Sequence, residues 1–235
     1  MKAVLSIAGS DCSGGAGIQA DLKTIAAHGL YGETAVTALT AQNTMGVSEV
    51  LPIAPDFLEK QLESIFTDIV PDAVKIGMIP GVEQMRVIGR ILKKYQARHV
   101  VVDTVMVSTS GKNLMAPDAV EYYKKELLSL AEIYTPNIPE AELLLKRTIK
   151  TREERVAAVR EFALQYKGIV YLKGGHDSFG ADDLLFYQGK PIWILGQHIE
   201  SRNTHGTGCT LSSAIACGLA LGQGIEESVR NAKEY

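Results

Sequence analysis

Cysteine is scarce in this chain of 235 residues: Cys12, Cys209 and Cys217 form no C-x-x-C pair and no even set. That sets aside a disulfide scaffold and a thiolate zinc cluster, and a reducing cytoplasm is the expected setting. Basic blocks are missing as well, and the net charge is −3. The attraction that draws proteins to nucleic-acid backbones or anionic lipid is therefore absent. No apolar run approaches the roughly 20 residues needed to cross a bilayer. The opening apolar run reaches Gly9-Ser10-Asp11 before a signal-peptide core could form. No repeat, low-complexity tract or linker interrupts the chain, so residues 1–235 are expected to form one domain. What is present is 46% hydrophobic and 22% charged, enough to bury a large core, with small molecules expected as partners rather than polymers.

Short β-branched runs alternate with longer segments of helical period, the pattern of βαβ units wound about a mainly parallel sheet. Strands are expected over residues 4–8, 35–41, 73–78, 99–103, 132–135 and 169–173. Runs at 184–187 and 192–195, joined through Gln188-Gly189-Lys190-Pro191, read as a hairpin at a sheet edge. Ile18, Leu22 and Ile25 share a helix face that ends near Gly29, and Leu58, Leu62, Ile65 and Phe66 share another. Thr151 and Glu154 have capping-box spacing, with Val156, Val159, Phe162 and Ala163 as the buried side of the helix that follows. Residues 225–235 read as a helix that stops without a glycine or proline terminator, as a trimmed sequence would.

Two glycine-rich segments carry the chemical signal. Ser6-Ile7-Ala8-Gly9-Ser10-Asp11-Cys12-Ser13-Gly14-Gly15-Ala16-Gly17-Ile18 is a strand, a polar turn and a helix start, which exposes backbone N–H groups at a sheet's carboxyl edge. Gly9 and Gly14 have the outer spacing of a phosphate-binding P-loop, yet Gly15 stands where its lysine must be. A dinucleotide reading of Gly15 to Ala20 lacks the carboxylate that should follow the second strand, where Ala41-Gln42 stands instead. A tight turn that binds nothing is the plain alternative. Thr204-His205-Gly206-Thr207-Gly208-Cys209-Thr210-Leu211 is the stronger segment. Its glycines let an anion approach the backbone, and Leu211, Ile215 and Leu219 continue as a helix whose start favours negative charge. Ser212, Ser213, Ala214, Ala216 and Gly218 would let that helix pack closely on the sheet; a mere close-packing turn is the alternative here.

The motifs in order are Ala8-Gly9-Ser10-Asp11, the run Ser13 to Thr24, the run Thr37 to Thr44, Lys75-Ile76-Gly77-Met78, Asp103-Thr104-Val105-Met106-Val107, Thr135-Pro136-Asn137, Lys173-Gly174-Gly175-His176 and Asn203 to Thr210. On these, from Val4 to the last residue, the chain resembles the hydroxymethylpyrimidine/phosphomethylpyrimidine kinases of thiamine biosynthesis, members of the ribokinase-like superfamily. The resemblance implies a ribokinase-like three-layer α/β/α sandwich with a central, mainly parallel sheet. It also implies transfer of the terminal phosphate of ATP, with Mg²⁺, to a pyrimidine's hydroxymethyl group and to the resulting monophosphate, and it suggests a homodimer. The resemblance further implies a C-terminal extension that completes the last helix and follows with a further segment beside the nucleotide, which is missing from this sequence.

By the same resemblance, Gln42 would pair with the aminopyrimidine edge, a task suited to an amide that both donates and accepts. Gly9, Ala16 and Met78 would wall the ring, and Asp21 would stand near the hydroxymethyl end. Cys209, with Gly206 and Gly208 of the anion hole, would work at the transferring group. A thiol at a helix start is lowered toward the thiolate, so Cys209 would take the alcohol proton or orient the hydroxyl. Lys173, Thr204, Asn137, Thr207 and Gly208 would hold the nucleotide phosphates, and Asp103 and Glu140 the Mg²⁺ ion and its waters. His176 and His205 read as hydrogen-bonded structural imidazoles. Ser108 to Lys112 has the composition of a flap, and Ser108 stands where close pyridoxal-kinase relatives can carry a Cys. A vitamin B6 kinase, a nucleotide-sensing module without catalysis, and a cysteine hydrolase built on Cys209 and His205 are the rival readings. The last lacks an evident third orienting group.

Overall fold

A computed structural model describes residues 1–106, 115, 117–175, 181–197 and 204–235. In chain order the elements are β1 (Ala3–Asp11), α1 (Gly17–Ala27), β2 (Tyr31–Asn43), β3 (Gly46–Pro52), α2 (Pro55–Phe66), β4 (Ala73–Ile76), α3 (Val82–Lys94) and β5 (Val100–Val102). There follow α4 (Pro117–Tyr122), prolonged by a π turn and a 3₁₀ turn to Leu130, then β6 (Ile133–Tyr134), α5 (Ile138–Leu145) and α6 (Arg152–Gln165). The chain continues through β7 (Ile169–Leu172), β8 (Asp183–Tyr187), β9 (Lys190–Ile194), α7 (Thr207–Ala220) and α8 (Ile225–Glu234).

The strands form one sheet in the order β3-β2-β1-β4-β5-β6-β7-β8-β9. From β2 to β7 neighbours run parallel, while β3 at one edge and the β8–β9 hairpin at the other are antiparallel. The central parallel strands β4, β5, β6 and β7 are short, largely apolar runs with both faces covered, as strands bridged by helical crossovers must be. Alternation sorts their side chains: Leu5, Val74, Val102 and Tyr134 pack against α2, α3, α5 and α6. Val4, Ala73, Val101 and Ile133 face α7, α8 and Ile25 of α1. The three layers expected are thus present. Ser212, Ser213, Ala214, Ala216 and Gly218 are all buried, so the small residues of α7 do let it lie close to the sheet.

The hairpin also forms where expected. Gln188 and Gly189 both take left-handed φ, 50° and 75°, the two-residue turn whose twist suits a hairpin, and Pro191 falls on the outermost strand, where a missing N–H costs little. The Thr151–Glu154 capping box is formed, and Asn137–Glu140 makes a second one. On α6 the buried side is Arg155, Ala158, Val159 and Phe162, with Val156 half-buried. The strand β3, absent from the sequence reading, pairs Leu51 with Leu39 and Gly46 with Asn43.

The strand order fixes where a ligand can sit. The chain leaves β1 toward β2 on one side and returns to β4 on the other, so the loops after β1 and β4 diverge. Such a switch point opens a crevice at the carboxyl ends of the strands.

Candidate active site

The crevice is a cavity of about 740 Å³, within the range of small-molecule sites. Loops after successive strands supply its walls: Gly9 after the core of β1, Gln42 at the end of β2, Met78 after β4, Asp103 after β5, Asn137 after β6 and Lys173 after β7. The start of α7 closes it with Thr204, Gly206, Thr207, Gly208 and Cys209, and Ala16 and Glu140 complete the expected set. Every candidate except Asp21 lines this one space.

The two glycine segments touch. A Cβ on Gly206, whose φ is 82°, would stand 1.8 Å from the Gly15 carbonyl oxygen, and one on Gly15 would strike His205 at 2.6 Å. Only bare backbone allows this approach. Asp11 holds the contact together: its carboxylate accepts from the amides of Ser13, Gly15 and Ala16, from the Ser13 hydroxyl, and from His205 Nε2 at 2.9 Å. Although burial opposes its charge, the bonds from Ser13 and His205 bring Asp11 down to about 2. His205 is thus a hydrogen-bonded imidazole, as its sequence context suggested. Asp11 belongs to the site's framework and was not singled out beforehand; its position two residues before a Ser-Gly-Gly turn, where an Asp side chain caps the following amides, is the signal that points to it.

The opening of α7 has no side-chain cap. The Thr207 amide turns back to the Thr204 carbonyl and the Thr210 amide to Gly206, which leaves Gly208 and Cys209 as first-turn donors without a carbonyl one turn behind them. A Cβ on Gly208 would lie 3.3 Å from Lys173 Nζ and 3.5 Å from Asp103 Oδ2, so amides, ammonium and carboxylate converge on one spot.

Lys173 Nζ bonds Asp103 Oδ1 at 2.9 Å, and Thr135 adds a hydroxyl to the same oxygen at 3.2 Å. Burial works against the Asp103 charge, but Lys173 and then Lys75 outweigh it and hold the carboxylate below its ordinary range. Glu140 is pushed up by burial; its Oε2 accepts from the Thr104 hydroxyl and the Asn137 amide, while the Asn137 side chain caps the Glu140 amide. Among the described residues no three His, Cys, Asp or Glu side chains gather as a metal cage. Two hard carboxylates lining the same cavity nonetheless suit Mg²⁺, which commonly takes one or two carboxylates together with phosphate oxygens and waters.

At the other side of the cavity, Met78 Sδ would lie 3.3 Å from a Cβ on Gly9, and the Met78 carbonyl accepts from Thr37 at 2.7 Å. The backbone of Gln42 is flanked by Cys12, whose thiol donates to the Gln42 carbonyl at 3.2 Å.

Two expectations are corrected. Asp21 does not face the cavity: it is fully buried, and Lys75, Ser6 and Ser213 take up both its oxygens. Cys209 is not lowered toward the thiolate. Burial pushes its thiol up to about 11, a rise the nearby Lys75 ammonium offsets only in part. The Gly17 amide bonded to its sulfur lowers the thiol by less than burial raises it. The expected flap at 108–112, and with it Val107, His176 and Asn203, lies outside the described residues. Asp183, Lys233 and Tyr235 also line the cavity and were missed; Lys233 Nζ meets Asp183 at 2.8 Å, a pairing between β8 and α8 that no local pattern announces.

The model of the phosphomethylpyrimidine kinase family matches residues 11–235. The hydroxymethylpyrimidine/phosphomethylpyrimidine kinase of Rhizobium meliloti is 47% identical over 98% of the chain and 87% of its own length. The thiamine biosynthesis bifunctional protein of Geobacter sulfurreducens is 46% identical over 99% of the chain, which spans 48% of that longer protein. Among solved structures, the phosphomethylpyrimidine kinase of Clostridium difficile superposes with a TM-score of 0.89 at 44% identity, covering 100% of this chain and 97% of its own. An ADP complex of Bacillus subtilis pyridoxal kinase gives 0.91 at 35% identity, covering 100% and 90%.

Proposed function

The chain belongs to the phosphomethylpyrimidine kinase family, and we propose that its cavity carries a phosphoryl group from ATP to the hydroxymethyl group of an aminopyrimidine and then to the monophosphate so formed. It is a kinase of ribokinase-like fold, similar over nearly all its length to hydroxymethylpyrimidine/phosphomethylpyrimidine kinases of thiamine biosynthesis. The observation that carries the reading is the convergence, in one cavity, of the free amides of Gly208 and Cys209 with Lys173 on one side and the Gly9, Ala16, Gln42 and Met78 walls on the other. In this reading Gln42 pairs with the ring edge, and Lys173, Thr204, Asn137 and Thr207 receive the nucleotide phosphates. Asp103 and Glu140 would hold Mg²⁺ through its waters, and the ion would neutralise charge on the phosphate oxygens.

The bond from the γ-phosphorus to its bridging oxygen breaks, the electron pair leaves with ADP, and the alcohol oxygen takes its place at phosphorus. Charge collects on the equatorial oxygens of the transferring group, which the Gly208 and Cys209 amides and Lys173 stabilise. A neutral thiol at Cys209 orients the hydroxyl rather than removing its proton. A loose transition state lets that proton depart late, onto an oxygen of the transferred group.

A homodimer and a cytoplasmic setting complete the reading. The three cysteines are free, the exposed cross-strand pair Leu39 and Leu51 offers an apolar edge, and no described helix is long and apolar enough to cross a membrane. Sedimentation at micromolar concentration tests the dimer. The likeness to pyridoxal kinase keeps vitamin B6 phosphorylation as the second reading, and kcat/KM for pyridoxal against hydroxymethylpyrimidine separates the two. The decisive experiment incubates the folded protein with MgATP and the free pyrimidine alcohol and looks for mono- and diphosphate by mass. Absence of both overturns the assignment.

A further inference from the structure

Building on the kinase reading, we propose that the sealed Asp21–Lys75 pair is a positioning element. Beneath the cavity it fixes the first turns of α7, so that the Gly208 and Cys209 amides meet the transferring phosphoryl group and the Cys209 thiol meets the acceptor hydroxyl in one geometry.

Four elements meet at the pair. Lys75 of β4 bonds both oxygens of Asp21 of α1 at 2.9 Å, Ser6 of β1 donates to Asp21 at 2.5 Å, and Ser213 of α7 donates at 2.8 Å. All four residues are fully buried. Ser213 lies four residues beyond Cys209 and so shares its helix face; the bond to Asp21 therefore ties down the face of α7 that carries the thiol. From the other direction, the Gly17 amide donates to the Cys209 sulfur at the start of α1, four residues before Asp21. The ammonium also reaches the acceptor side, since a Cβ on Gly77, next to the wall residue Met78, would lie 2.9 Å from Nζ.

Stability alone does not explain such a pair. Removing two charges from water is costly, and hydrophobic side chains of similar volume often replace a buried ion pair without loss. Directional bonds do what apolar packing cannot: they fix the rotation and the depth of α7 against β1, β4 and α1. A misplacement of about 1 Å at reacting atoms can cost up to about a hundredfold in rate. The ammonium is moreover the largest influence opposing the rise of the Cys209 thiol.

The test compares wild type with the double variant Asp21→Asn/Lys75→Met, which removes both charges together. Expected are a kcat lowered about tenfold or more, with KM for ATP and for the pyrimidine within about threefold. Alkylation of Cys209 by iodoacetamide, followed by peptide mass so that Cys12 does not interfere, is expected to slow about threefold or more. Should the double variant fail to fold, Ser213→Ala cuts the α7 tie and leaves both charges in place; a kcat lowered about threefold at unchanged KM is then expected. Wild-type kcat in whichever variant folds, or a loss confined to KM, overturns the proposal. A wild-type enzyme inactive on every pyrimidine would instead overturn the kinase reading, and the alkylation rates would still report on the pair.

Discussion

Two lysine–carboxylate pairs, each 2.9 Å apart, serve the same cavity, one in its wall and one beneath it, and do different work. In Lys173–Asp103 the ammonium keeps 15% of its side-chain surface exposed, whereas Lys75–Asp21 is 0% exposed on both sides. In both pairs burial opposes the lysine charge and the facing carboxylate outweighs it, so each ammonium is held above its ordinary range. The difference is access. An anion entering the cavity can share Lys173 with Asp103 and compete for it, while Asp21 can give up Lys75 to nothing. Distance describes the bond; the room left around it decides whether the pair binds a ligand or braces the protein.

That contrast can be broken most easily at Asp21. Asp21→Asn leaves an uncompensated ammonium in the core and should cost about 3–5 kcal/mol in urea unfolding, with most of the loss regained when Lys75→Met is added. Lys173→Met should weigh the other way, lowering kcat about 10²- to 10³-fold with a smaller loss of stability than Asp21→Asn, because Lys75 still offsets the Asp103 charge. An equal fall in stability for the two single variants would erase the distinction. Cys209→Ala should lower kcat about tenfold with little change in KM. Because the thiol of the folded protein titrates at about 11, it stays neutral through pH 7 to 9, and kcat should be flat there; a tenfold rise per pH unit would restore the thiolate base. The smallest effect belongs to Asp11. Its folded value of about 2 lies below the ordinary 3.8, so its contribution is present above about pH 4 and fades as pH falls toward 2. Asp11→Asn should flatten that acid limb in unfolding measured by circular dichroism.

Local patterns were readable because their causes are local. The Thr151–Glu154 box needs only a hydroxyl and a carboxylate three residues apart, and it forms as its spacing requires. The glycine turns were readable for the same reason: a left-handed φ at Gly206 or Gly189 is a property of one residue. The strand β3 was not readable, since Val47, Val50 and Leu51 among Ser48 and Glu49 make no regular alternation, and it exists through pairing with β2. Asp21 could have been placed in the core: it lies in the buried stripe of α1 with Ile18 and Ile25, and Lys75 sits in a wholly buried strand. Opposite charges in two apolar patterns signal a sealed pair. Lys233 offered no such hint, because its partner Asp183 is fifty residues away on another layer.

The sequence by itself determined the alternation of strands and helices, the turns at Gly9–Gly17 and Thr204–Cys209, and the types of side chain available for anion and pyrimidine binding. Those follow from backbone sterics and from periodicities of a few residues. Only the tertiary structure decided that the two turns touch, that Lys173 opens to the cavity while Lys75 is shut away, and that burial pushes the Cys209 thiol up where its helix-start position alone would lower it. Depth is a sum over neighbours contributed by distant segments, and the charge a side chain keeps depends on that sum.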